Sequence, residues 1–333
     1  MRLGISLGMA GLGLREQLAV ARRAERAGAD SLSSLEAGHD VFAVAAALAG
    51  ESARARLFSG VATWVRPPVA TARAAATVDE LSGGRFVLGL GTMPRAWSSD
   101  YYGISADRPV ARMREYVRVV RGALGSAGEP FHHRGEFFEV RGYRLPTAPV
   151  RSEVPIHLGA TGAAMARLAG EAADGVLVNF VCTPDWLDQV VLPAVRAGER
   201  AEGRRVERGM LLCCAVGDDR REARSWLRGS LAGHLRVPYF HRVAEHAGFD
   251  LTPAGRLAGS GDTEGALAAV PDALVERIGV AGGAREVAER LRTLAGSLDH
   301  VQLMPPRHLH GPALGEAVDG ILEVLRMTGG SVD

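Results

Sequence analysis

Apolar runs of four to seven residues alternate with segments of helical period along most of the chain, and this alternation constrains the fold more than any other feature. Arg2–Leu7, Ser31–Leu35, Leu57–Ala62, Phe86–Leu90, Ile156–Gly159, Val176–Asn179, Met210–Val216 and Val301–Met304 read as strands. Between the first two, Leu14–Ala27 places Leu18, Ala21 and Ala24 on one face with charges elsewhere, and Gly28 is placed to stop that helix. Asp40–Ala49 and Val69–Leu81 read as the next helices, the latter ending at Gly83-Gly84. FVLGL (Phe86–Leu90) is apolar on both faces, as a parallel strand covered on both sides must be. Eight such units predict a closed (β/α)8 barrel, a TIM barrel, rather than an open sheet.

Three stretches depart from the rhythm. Thr92–Asp107 is a long connection before a helix at Val110–Leu124. FHHRGEFFEVRGYRL (Phe131–Leu145) alternates and turns at Gly135, as a hairpin does, with His132 and His133 in solvent. From about 220 to 272 the pattern is helical and rich in His and aromatics. It is expected to be a capping insertion between strands seven and eight of a single domain spanning 1–333.

The chain has 333 residues and a formal net charge of +1, which argues against a nucleic-acid surface. All 39 basic residues are Arg, so any phosphate must be held by Arg, hydroxyls or backbone N–H groups, and a Schiff-base lysine is excluded. Cys182, Cys213 and Cys214 suggest neither a disulfide framework nor a zinc site; MLLCCAV reads as a buried strand. His308 and His310 have ligand-like spacing without a nearby carboxylate, so no metal is expected. With no signal segment and no long uncharged apolar stretch, the expected setting is soluble and cytoplasmic, with no membrane partner.

In a barrel of this kind, chemistry sits at the C-terminal ends of the strands. That rule singles out Glu36–Asp40 after strand two, Gly60–Trp64 at the end of strand three, Gly91 and Thr92 after strand four, Gly159–Gly162 after strand five, and Asn179 closing strand six. Gly159-Ala160-Thr161-Gly162 opens a helix, so its free N–H groups and dipole favour an anion such as phosphate. An ordinary turn capped by Thr161 is the competing reading. Glu36 and His39 are candidates for acid/base work, while Asp40 suits an N-cap and His39 an exposed turn equally well.

LSGGRFVLGLG (Leu81–Gly91) resembles the signature of the luciferase-like monooxygenase superfamily, which includes FMN-dependent monooxygenases and coenzyme F420-dependent oxidoreductases. AERAGADSL, RPPVATARAAATVDELSGGRF, FEVRGYRL, PIHLGATGAAMARLAGEAADGVLVN and VQLMP extend the resemblance over nearly the whole chain. The EAGHDVF and LAGEAADGVLVN blocks are most similar to the F420 branch, of the methylene-tetrahydromethanopterin reductase type. The resemblance implies a cis peptide at Gly60-Val61 behind the cofactor ring. It also implies phosphate on Gly159–Gly162, Thr92 beside the ring, and Gly60, Val61, Thr63, Gly91 and Asn179 in the cofactor site. Glu36-Ala37 stands where some members have an Asp-His pair, and Pro94 where some have a Glu, so Glu36 and His39 are this chain's own catalytic candidates. The function implied is F420-dependent hydride transfer to or from a small organic substrate, such as reduction of a C=C bond in specialised metabolism. The alternative is an FMN-dependent two-component monooxygenase. A homodimer is expected, with the small-residue run ATARAAAT allowing close helix contact.

Overall fold

In the computed structural model, which describes residues 1–333 other than Ala37, Ala148 and Ser152, eight parallel strands close on themselves. They are β1 (Arg2–Ser6), β2 (Ser31–Ser34), β3 (Arg56–Ser59), β4 (Phe86–Gly91), β5 (Ile156–Ala160), β6 (Gly175–Val178), β7 (Glu207–Val216) and β8 (His300–Met304). Each pairs with the next in register, as in Leu57 opposite Phe86 and His157 opposite Gly175, and β8 returns to β1 with Val301 opposite Leu3. The expected barrel is therefore the observed one. β2, β4, β6 and β8 are buried at every position, because the lumen packs one face and helices the other. Burying side chains such as Phe86, Leu88 and Leu90 contributes roughly 1.5–3 kcal/mol each.

The helices follow their local signals. Leu14–Arg26 buries Val20, Ala21 and Ala24, and the chain leaves it through Gly28 at φ 102°, a left-handed conformation suited to glycine. Val41–Glu51 starts at Asp40, whose carboxylate accepts from the N–H groups of Phe42 and Ala43. Pro68–Leu81 buries Thr71, Ala72, Ala75 and Ala76 within the chain itself. Within the same run Arg73 and Thr77 are exposed and Ala70 and Ala74 half-buried, so one face of the helix packs on the barrel and the other is open.

Three details differ from the sequence reading. The long connection after β4 contains a helix, Arg95–Tyr102, flanked by Pro94 and a left-handed Gly103. The hairpin Phe131–Arg134/Glu139–Tyr143 is present, but only His132 faces solvent. His133 packs on Glu115 at 3.1 Å, and Glu115 also accepts from the N–H groups of Glu136, Phe137 and Phe138. Finally, the inserted run of helices after β7 extends from Arg220 to Ile278, beyond the expected 272, because Asp272–Ile278 is itself helical, and Ala284–Arg292 follows before β8. A short parallel strand, Val280–Gly282, then pairs with the outer end of β7.

The N-terminal end of the barrel is closed by an ionic layer. Glu207 of β7 receives both terminal nitrogens of Arg56, at 2.7 and 2.8 Å, and also that of Arg2. His157 Nε2 and His300 Nδ1 lie 3.3 and 3.1 Å from the same carboxylate. Gly175 and Gly209 make room for these rings: a Cβ at either position would come within 2.5 and 2.1 Å of an imidazole. The layer draws on β1, β3, β5, β7 and β8, so the barrel floor is packed and the opening is at the opposite end.

Candidate functional site

At the open end the chain breaks its strand geometry after β3. The Gly60–Val61 peptide is cis, as expected, and Ala62–Thr63 resumes pairing with β4. A Cβ at Gly60 would lie 2.3 Å from Ser33 Oγ, so a larger residue there requires that hydroxyl to move. Val61 then lies across a patch of glycines. A Cβ on Gly91 would meet its Cγ2 at 2.4 Å, and one on Gly159 its Cγ1 at 3.2 Å. The result is an apolar surface formed by glycine backbone and one valine.

This surface is the base of a cleft of about 570 Å³. Gly60, Val61, Gly91, Thr92, Gly159, Ala160, Thr161, Gly162 and Asn179 all line it, so nine of the sequence-derived positions meet in one place. One wall is the turn from β5 into the helix Ala163–Ala172. Gly162 is its N-cap, and no side chain caps it. Thr161 is exposed and does not cap the helix, which removes the structural reading of its hydroxyl. The first N–H groups of the helix therefore face the cleft without a side-chain acceptor, and an anion is favoured there. Asn179 bonds Ala160 O through its own N–H at 3.1 Å and uses Oδ1 to accept from Val181 N at 2.9 Å.

The remaining candidates stand beside the cleft rather than in it. Thr63 is buried, and its N–H donates to Glu36 Oε2 at 2.8 Å. Glu36 also has Arg66 at 4.0 Å, and its side chain is 14% exposed. Burial pushes the Glu36 carboxyl above the usual range, and the Thr63 N–H and the Arg66 charge only partly offset this. His39 is exposed and does not line the cleft. Asp40, as cap and Arg66 partner, is held below the usual carboxylate range: its hydrogen bonds and Arg66 outweigh its burial. Ala37, next to Glu36, lies outside the described residues.

Sequence reasoning missed two further lining residues, Trp186 and Arg242. Trp186 could have been found by extending the end-of-strand rule seven or eight residues past β6. Arg242 is carried in by packing of a helix that no local signal ties to the mouth. Of the aromatics in the two irregular segments, Tyr239 and Phe240 are core residues, whereas Trp97, Tyr101 and Tyr102 are exposed on the helix after β4.

Among the described residues, no helix is long and apolar enough to cross a membrane. A family model described as luciferase-like monooxygenase matches residues 1–300. A candidate coenzyme F420-dependent oxidoreductase of Mycobacterium tuberculosis is 31% identical over 320 residues, covering 87% of this chain and 91% of its own length. The 5,10-methylenetetrahydromethanopterin reductase of Archaeoglobus fulgidus is 31% identical over 237 residues, 68% of this chain and 69% of its own. The solved structure of the coenzyme F420-dependent tetrahydromethanopterin reductase of Methanopyrus kandleri superposes with a TM-score of 0.82 at 21% identity, covering 99% of this chain and 98% of that one.

Proposed function

The chain belongs to the luciferase-like monooxygenase family and is an enzyme, and from that premise we propose that it is a coenzyme F420-dependent oxidoreductase. Its substrate would be a small organic molecule bearing a C=C, C=N or alcohol group, with C=C reduction in specialised metabolism the leading case. The observation that carries this reading is the cleft itself: an apolar floor of glycine backbone and Val61 beside a helix N-terminus without a side-chain cap, the one suited to a ring and the other to a phosphate. The F420-dependent relatives support deazaflavin over FMN. A cytoplasmic homodimer belongs to this reading on the family resemblance alone.

When bound, the deazaflavin supplies a hydride donor or acceptor at a ring carbon that reacts poorly with O2. The chain's residues position it. Val61 would back the ring, and Gly91 and Gly159 leave the room that the Val61 side chain occupies. Thr92 presents a hydroxyl at the rim, and Gly162 and the first turn of Ala163–Ala172 offer N–H donors to the phosphate. Glu36, buried beside the bulge with a raised pKa, is placed to hold a proton at its carboxyl for transfer to substrate. Equilibrium dialysis against F420 and FMN in parallel tests the assignment: F420 retained and FMN not supports it, and the reverse refutes it.

Two variants probe the parts. Thr161→Val removes a hydroxyl donor that does not cap the helix, so the melting temperature is expected to hold while F420 binding weakens roughly ten- to hundredfold. Unchanged affinity would take the hydroxyl out of the site. Glu36→Gln separates stability from turnover. Because the folded carboxyl titrates above the unfolded value of about 4.3, the fold binds the proton more tightly. Wild-type stability therefore falls as pH rises through that interval, and the amide does not share the loss. Glu36→Gln should melt above wild type at about pH 8, with the gap closing by about pH 4, while turnover falls roughly a hundredfold or more. A pH-independent gap would contradict the buried acid.

A further inference from the structure

Among the described residues that line the cleft, Arg242 is the one with a charged side chain. It belongs to the helix Pro238–His246, between β7 and β8. That helix is fixed against the phosphate-side wall by its neighbours. The Tyr239 hydroxyl donates to Val181 O at 2.6 Å, just past Asn179. Trp186 meets Tyr239 edge-on at 6.1 Å and His246 at 5.3 Å between centroids. The same indole donates through Nε1 to Thr161 O at 3.0 Å. One side chain thus ties the Thr161 turn to the overlying helix. Tyr239, Arg242 and His246 recur at the spacing of a single helical face, so Arg242 lies between two residues already held at this wall.

Among the described residues Arg242 enters no ion pair, whereas Arg228 and Arg277, from the same inserted helices, are matched by Asp272 and Asp185. The side chain is exposed to the cleft. A phosphate ester carries between one and two negative charges, while a helix terminus offers about half a positive one. With no lysine in the chain, the balance must come from Arg. We propose that Arg242 clamps the phosphate-bearing tail of the cofactor from above, opposite the N–H groups at Gly162. The inserted helices would then recognise the anionic tail, not the ring. The clamp rests on the cofactor reading given above and deepens it.

The test measures dissociation constants and melting temperatures of wild type, Arg242→Gln and Arg242→Lys. Each is titrated with F420, with the same deazaflavin lacking its phosphate tail, with FMN and with riboflavin. Arg242→Gln is expected to weaken F420 roughly ten- to hundredfold, to leave the tail-less deazaflavin unchanged and to keep the melting temperature. Arg242→Lys should recover part of the loss, since the charge is kept and the fork is not. Equal weakening of tailed and tail-less ligands, or no weakening of either, overturns the clamp. If wild type binds FMN and not F420, the deazaflavin reading falls alone, and FMN against riboflavin decides the clamp by the same criterion. If wild type binds neither tailed cofactor, both fall.

Discussion

Glu207→Ala is expected to lower the free energy of unfolding by about 3–5 kcal/mol, the loss associated with leaving buried charge uncompensated. Arg56, whose side chain is 23% exposed, would keep its charge and lose both of its bonds to the carboxylate. The His157 and His300 rings, 1% exposed, would lose their shared anion. Arg2 is 41% exposed, so water takes up its charge and its share of the loss is small. Burial works to raise the Glu207 carboxyl, but hydrogen bonds from Arg56, His157 and His300 outweigh it and hold the group well below the usual range. A depressed folded pKa contributes stability above the unfolded value of about 4.3 and gives it up as pH falls below that. Urea midpoints measured from neutral pH downward should therefore fall in wild type and be flatter in the variant. A loss under about 1 kcal/mol with an unchanged acid limb would contradict the layer's role.

Gly162→Val is expected to abolish tight cofactor binding, by roughly a hundredfold or more, while costing the fold only about 1 kcal/mol, because valine is a poorer N-cap than glycine. The backbone there is extended, at φ −139° and ψ 171°, which a β-branched residue adopts readily. A Cβ would meet nothing within 4 Å in the free protein, so the added methyls enter the open cleft. They would occupy the approach to the helix N–H groups, and losing two charge-assisted bonds of about 1.5–3 kcal/mol each accounts for the size of the effect. Gly159→Val makes the contrasting control: its Cβ would press on Val61 Cγ1 at 3.2 Å, so binding and stability should fall together. Isothermal titration beside thermal melting reads both quantities. Undiminished affinity in Gly162→Val would move the phosphate elsewhere.

The barrel was legible because its signals are local. Each strand announces itself by a short apolar run, and Asp40 and Gly28 mark a helix start and a helix stop through their own chemistry. The cleft was legible in part because barrel topology brings the strand ends to one mouth, so position in sequence stands in for position in space. What failed was whatever depends on packing between distant segments. The partnership of His133 with Glu115 joins a hairpin to a helix eighteen residues away. The ionic layer gathers first or second residues from five strands, whose individual charges look like ordinary strand-edge residues. The helix Arg95–Tyr102 buries only Ser98, so it has no apolar stripe to detect. Arg242 enters the site only because Trp186 and Tyr239 dock its helix.

The central claim is that the cleft over Val61, between the Thr161 turn and Arg242, is a deazaflavin site. A crystal structure of the protein grown with F420 and FMN at equal concentration tests it most directly. The account predicts F420 in the cleft, its ring against Val61 and its phosphate on the N–H groups at Gly162. FMN in that cleft, or F420 bound anywhere else, would contradict it.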